Sequence, residues 1–427
     1  MKIAIPYGST ELTATLDWAR ILDTLRIADA PALANPAAAM LEQFNGPIGT
    51  APLATRLQPG GTVLIIVSDS FRKTGVHQLL PTLVAFLNDH GVPDERISFL
   101  FATGSHRPPT NAEKSEILGS AIHARFEGRA VAHSPHDDTN LVYRGDTSRG
   151  TPVFMNRLAD EADTVIATGR VVLHYFGGFG GGRKSILPGI AGMKTIAANH
   201  ALNLDPVENH LNPDVPIGRL DGNPVAEDMR EGAKRCGDHF LLNTCLNRSG
   251  QIARIYCGDL EEAHREACNY AERLYTVPVR EKADFVVASA GTAKNFIQSH
   301  KSLYNAHQIV KKGGHIILAA PAPEGYGGHK FVDWLKLGSR AAIIAELRKN
   351  AEINGQTALS TLEKARKTFF ITAMSSTETE ALGGQKVENL DEGLDRVHAA
   401  LAQRGIAHPT CYIMPDAAFS VPILSSP

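Results

Sequence analysis

Between Val171 and His200 the sequence reads VVLHYFGGFGGGRKSILPGIAGMKTIAANH, the densest run of chemistry-bearing residues in the chain. Six glycines lie between Gly177 and Gly189. Backbone so bare of side chains can approach a ligand closely, and its amides suit an anion such as phosphate. Arg183 stands between Gly182 and Lys184, which breaks the Gly-Lys-Ser/Thr order of a nucleoside-triphosphate loop. It also occupies the place of the last glycine in a dinucleotide fingerprint. Of the 17 histidines, three fall at the end of an expected strand or beside this loop: His106, His174 and His200. Imidazole moves protons near neutral pH and also ligates metals. Three converging imidazoles would make a zinc site with an open position, whereas two could form an acid/base pair on opposite faces of a substrate with the third on a metal. Both arrangements stay open at this level. Arg72, three residues after Asp69, could clamp a carboxylate or hold its own loop through that aspartate. Gln298 and Lys301 share one face if helical and are candidates to bind a substrate carboxylate or hydroxyl.

These residues need a scaffold, and the apolar runs provide one. Thr62 to Val67, Ile97 to Ala102, Thr164 to Thr168, Phe285 to Ser289 and His315 to Ala320 read as strands between helix-like segments, the alternation of parallel α/β sheets. The first three end in the loops carrying Asp69 and Arg72, His106, and the glycine block. Ligands of open α/β sheets sit outside the carboxyl ends of the strands, so these loops are expected to converge. The segment from Met1 to about Leu22 reads as a short strand and a helix-like stretch. Strands at His239–Leu246 and Ile252–Tyr256 lead to Asp259, a cap for a helix to about Leu274. Polar residues and Pro278 follow, which places a domain boundary near residue 275. Beyond it come a strand, a helix at Ser302–Lys311, a strand, a glycine-rich loop (Pro321–Gly328), a helix, a strand at Thr368–Ala373, a helix at Leu390–Ala402 and a strand at Thr410–Met414.

The chain of 427 residues is long enough for two to three domains. Lys+Arg 43 against Asp+Glu 45 gives net charge −2, which offers nothing to nucleic acid or to a membrane surface. No apolar run approaches the roughly 18 residues that span a bilayer, and the start lacks the regions of a signal peptide, so the expected location is cytoplasmic. Five cysteines without a CxxC pair argue against a disulfide framework or a cysteine zinc site.

The set SDSFR (Ser68–Arg72), ATGSHRP (Ala102–Pro108), LHYFGGFGGGRKSILPG (Leu173–Gly189), TIAANH (Thr195–His200) and QSHK (Gln298–Lys301) resembles the nickel-pincer lactate racemase family over most of the chain. The resemblance implies a two-domain α/β enzyme, each domain with a mainly parallel sheet flanked by helices, and an active site in the interdomain cleft. Residues 1–275 would be the N-terminal cofactor-binding and catalytic domain, and 276–427 a C-terminal α/β domain contributing substrate-binding residues. The implied cofactor is a nickel-bearing pyridinium-3-thioamide-5-thiocarboxylic acid mononucleotide tethered to Lys184, with His200 as the protein ligand to nickel. Asp69, Gly180, Gly181, Gly182 and Pro188 would line it. His106 and His174 match the two acid/base histidines, and Arg72, Gln298 and Lys301 match substrate-binding positions. The expected substrate is a small 2-hydroxy acid, with no nucleic-acid or membrane partner; a homo-oligomer is compatible with the sequence. Where the lactate enzymes carry a tryptophan before a helix, Ile353-Asn354-Gly355-Gln356 stands here, with Trp334 some 20 residues earlier. A smaller, polar residue there points to a larger or more polar acid such as malate, 2-hydroxyglutarate or an aldonic acid, and to racemisation or epimerisation. A zinc hydrolase or lyase using His106, His174 and His200 as ligands is the main alternative. A ligand-sensing module is the other.

Overall fold

The computed structural model describes residues 1–350 and 352–425 and divides into two units, Asp29–Leu274 and a second made of Met1–Ala28 with Tyr275–Pro427. Both are α/β, as expected. In the first unit six strands run in the order Ile252–Asp259, Phe240–Leu246, Thr164–Arg170, Val63–Ser68, Ile97–Ala102 and Ala130–Ala132. All neighbours are parallel except the hairpin formed by the first two. The central strand Val63–Ser68 is buried along its whole length, because a parallel sheet covered on both faces needs apolar residues at every position. Ile65, Val67, Phe99, Phe101 and Leu83 form one continuous core with the flanking helices. Asp259 caps as expected: its Oδ1 accepts from the amides of Glu261 and Glu262 at 2.8 and 2.9 Å, and the helix runs over Glu262–Tyr275.

The second unit has six parallel strands in the order Gln385–Lys386, Thr368–Ile371, Val310–Ala319, Ala283–Ser289, Thr410–Met414 and Arg20–Thr24. The last of these corrects the expected boundaries. A domain drawn from residue 1 to 275 assigns the first 28 residues to the wrong sheet, since Arg20–Thr24 pairs with Thr410–Met414. The helix-like stretch near the start is also absent. Lys2–Tyr7 and Thr10–Thr15 form an antiparallel hairpin turning at Gly8, and the threonines at positions 10, 13 and 15 favour the strand through their branched Cβ. The helix expected at Ser302–Lys311 spans Phe296–Gln308 instead, because Asn295 caps it by accepting the Gln298 amide at 3.2 Å. Among the described residues no helix is long and apolar enough to cross a membrane.

Candidate active site

The strands Thr164–Arg170, Val63–Ser68 and Ile97–Ala102 are neighbours in one sheet and point the same way, so the loops at their carboxyl ends meet. Asp69 follows the central strand directly. Its side chain is fully buried, and Oδ2 accepts from Arg72 Nη1 at 2.7 Å and from His106 Nδ1 at 2.6 Å, while Oδ1 takes the Phe71 amide. Burial alone would raise this carboxyl; the charges of Arg72 and His106 outweigh it and bring it down to about 2. An ionised carboxylate can only accept, so His106 Nδ1 carries the hydrogen and the basic nitrogen is Nε2. The ring stands edge-on to Phe71, with centroids 5.1 Å apart, and the next residue, Arg107, is fixed by two bonds to Glu113. Because the folded carboxyl lies below its ordinary value, its stabilising effect is full above about pH 4 and is lost as pH falls through about 2. Asp69→Asn is expected to cost about 2 kcal/mol at neutral pH, a deficit that closes towards pH 2. Urea unfolding of both proteins across that range checks it.

A second group is built on the glycine block. His174 ends the short strand Leu173–His174, and its Nδ1 accepts from the amides of Phe176 and Gly177 at 3.4 and 3.2 Å. In the neutral ring the hydrogen is therefore on Nε2, the tautomer opposite to that of His106. Lys184 Nζ lies 5.1 Å from the Phe176 ring centre, and His174 and His200 stand edge-on to the same ring at 4.5 and 4.8 Å. Lys184 Nζ and His174 Nδ1 also flank Gly177: a Cβ there would stand 3.3 Å from one and 3.6 Å from the other. His200 is almost fully buried on the helix Met193–Ala201, where burial and then the Lys184 charge depress its pKa to about 3. It is held neutral. Its neighbour Asn199 donates to Asp228 Oδ2 at 2.9 Å, and this buried carboxylate also accepts from Thr147 and Thr151. Asp228 thus fixes the turn that presents His200, with no motif in the sequence to mark it. The two groups are stitched together by Gly104, whose amide donates to Gly189 O at 2.9 Å beside Pro188.

Several amides of the glycine block are already engaged within the protein. The Gly180 amide donates to Val172 O and the Gly182 amide to Asn243 Oδ1, both at 2.8 Å, and the Gly177 amide serves His174. What the missing side chains provide is close packing. Gly182 adopts φ +53°, and a Cβ on it would fall 2.3 Å from His264 Cγ. Gly182→Ala is accordingly expected to cost about 3 kcal/mol, through strain and overpacking together, and to lower the melting temperature by several degrees in a calorimetric scan. Arg183 is a buried staple, donating to Ala226 O, His264 Nδ1 and Gly177 O.

Among the described residues no three His, Cys, Asp or Glu side chains group as metal ligands, so the three-histidine zinc site does not form. His106 is spent on Asp69 and His174 on the loop backbone. Gln298 and Lys301 lie in the second unit on the helix Phe296–Gln308, both half-buried, with Gln298 Oε1 accepting from the Lys294 amide. In the same unit Trp334 packs its ring against Gly355, 2.7 Å from where a Cβ would be, and donates Nε1 to Glu352 at 2.6 Å. An indole thus does reach the Ile353–Gln356 segment from another helix. Beyond it, Gln356, Thr357 and Ser360 form a buried polar row, with Ser360 Oγ 3.0 Å from His300 Nε2 and 3.1 Å from Lys364 Nζ.

Comparison with known proteins finds relatives over most of the chain. Residues 7–211 match the lactate racemase N-terminal domain. The chain is 33% identical over 337 residues to the lactate racemase of Lactiplantibacillus plantarum, covering 78% of this chain and 77% of that protein. It is likewise 33% identical over 340 residues to the lactate racemase of Thermoanaerobacterium thermosaccharolyticum, covering 78% of each. The structure of the lactate racemase apoprotein from the latter organism superposes with a TM-score of 0.86 at 27% identity, covering 99% of this chain and 100% of that one. A Thermotoga maritima protein at 18% identity and TM-score 0.72, covering 93% of this chain and 100% of that one, shares the fold.

Proposed function

The chain belongs to the lactate racemase family, and on that premise we propose that it is an isomerase inverting C2 of a 2-hydroxy acid with a nickel-pincer pyridinium mononucleotide held by Lys184 and His200. The observation that carries this reading is the pairing of two histidines in opposite tautomers, His106 on Asp69 and His174 on the backbone of the loop that holds Lys184. The residues fit the group. Lys184 offers a primary amine for the tether, His200 is kept in the neutral form that ligates a metal, and the absent Cβ of Gly177 leaves space between Lys184 and His174. Gly180, Gly181, Gly182 and Pro188 would form the wall against which the cofactor lies, by close approach more than by donated amides.

When bound, the cofactor supplies an electron-poor carbon that takes the C2 hydrogen as hydride and returns it, which avoids removing a weakly acidic proton beside a carboxylate. The protein's own side chains handle the hydroxyl proton. His106 Nε2 accepts it from one enantiomer, with Asp69 stabilising the imidazolium that results. His174 serves the other enantiomer, giving a proton to the developing alkoxide oxygen as that enantiomer forms and taking the hydroxyl proton when it reacts. Arg72, with one terminal nitrogen on Asp69, has donors left for the substrate carboxylate, and Lys301 and Gln298 would complete its binding.

The assignment of a substrate larger or more polar than lactate rests on the Ile353-Asn354-Gly355-Gln356 sequence, which carries no tryptophan. Turnover of both enantiomers of lactate, malate and 2-hydroxyglutarate, and of an aldonic acid, by enzyme purified with nickel on Lys184 tests both parts. One of the larger acids is expected to react about tenfold faster than lactate, corresponding to one extra charged hydrogen bond. Fast turnover of lactate alone would overturn the substrate assignment, and inversion of none of them would overturn the racemase.

A further inference from the structure

Beside Arg183 the first unit contains a cavity of about 390 Å³. Its inner end is Arg183 and His264; Leu220, Ala226 and Leu260 supply apolar wall. None of Asp69, His106, His174, Lys184 or His200 lines it. Carboxylates outnumber cations at its rim, but the charged groups there are already paired or, as Asp259 is, capping a helix. Arg265 pairs with Asp221 at 2.6 Å, and Glu261 accepts from Arg230 and Lys234 at 2.9 and 2.8 Å. Arg183 is different. It is 6% exposed, its three hydrogen bonds go to two carbonyls and an imidazole, and among the described residues it forms no ion pair with a carboxylate. His264 gives no compensation, because its Nε2 donates to Gly180 O at 2.9 Å and its Nδ1 faces the guanidinium as acceptor, so the ring is neutral. A guanidinium has five N–H groups, and three bonds leave one on each terminal nitrogen. A buried cation with spare donors at the end of a partly apolar cavity is costly until an anion joins it.

We propose that this cavity is a second ligand site taking a small monocarboxylic acid, its carboxylate on Arg183 and its carbon chain along Leu220, Ala226 and Leu260. Such a ligand is coupled to the proposed acid/base site through two bonds. Arg183 Nη2 holds Gly177 O at 2.7 Å, and the Gly177 amide holds His174 Nδ1. Drawing the guanidinium towards a carboxylate pulls on the peptide that fixes the tautomer of His174. The site therefore reads as a regulatory one, answering to the level of a carboxylic acid, and it stands whether or not the racemase assignment does.

Hexanoate titrated into the full-length protein by calorimetry tests this, with Leu260→Trp filling the cavity from a wall position outside the catalytic groups. The expected result is one site on the wild type, weakened at least about tenfold by Leu260→Trp and by Arg183→Gln, a loss matching one charge-assisted hydrogen bond. Melting temperature and basal turnover of Leu260→Trp should stay at wild-type values, and the His174 ring resonances should shift with hexanoate only in the wild type. If Arg183→Gln fails to fold, Leu260→Trp decides alone. Equal binding to Leu260→Trp and wild type, no binding to either, or inorganic phosphate bound as tightly as hexanoate would each overturn the proposal.

Discussion

Under the proposed mechanism, replacing Lys184 with alanine is expected to abolish racemisation, by roughly four orders of magnitude or more, because the hydride acceptor would be lost with its tether. The loss should be chemical, not structural. The lysine is half-buried beside the face of Phe176, and the melting curve of each variant separates lost chemistry from a lost fold. Lys184→Arg sharpens the test. Arginine restores a positive charge over Phe176 but not the amine needed for a thioamide, so it should be as inactive as alanine. Intact mass should show the wild type, purified from a host that makes the cofactor, heavier than its sequence, and both variants at the sequence mass. Recovery of activity in Lys184→Arg would mean that the lysine acts as a charge alone.

His106→Ala and His174→Ala are each expected to lower kcat/KM by about 10² to 10⁴, the range for loss of a positioned proton-transfer group. The two enantiomers of an acid with one stereocentre are equal in energy, so each variant must slow both directions equally, even though each histidine serves one enantiomer. Polarimetry from each pure enantiomer measures the loss, and wild-type rates in either variant would contradict a two-base racemase.

The parts of the site that follow from short spacing were readable from the residues themselves. Asp69 and Arg72 are three apart at a strand end, and they pair. The strands came through because a sheet covered on both faces demands uninterrupted apolar runs such as Leu64–Val67. What a linear reading misses is pairing at long range. His106 meets Asp69 across 37 residues, which follows once the two strands are known to be neighbours; Arg183 meets His264 across 81, which no local pattern announces. The glycine block shows the same limit. Composition tells how closely a backbone can be approached, but not whether its amides are already spent, and here Asn243, Val172 and His174 take three of them. The opening residues were misassigned because Arg20–Thr24 finds its partner strand almost at the opposite end of the chain.

That pairing has a consequence for synthesis. The ribosome releases Arg20–Thr24 early, yet the strand must wait for Thr410–Met414 before its edge is covered. In the interval, residues 29–274 emerge with every strand of their own sheet and can complete a core without anything made later. Lys184 and His200 are thus assembled while the second unit is still an open sheet edge. A chain stopped near residue 400 would carry the histidine and lysine groups intact and leave Arg20–Thr24 as an exposed strand, a ready template for pairing with another chain.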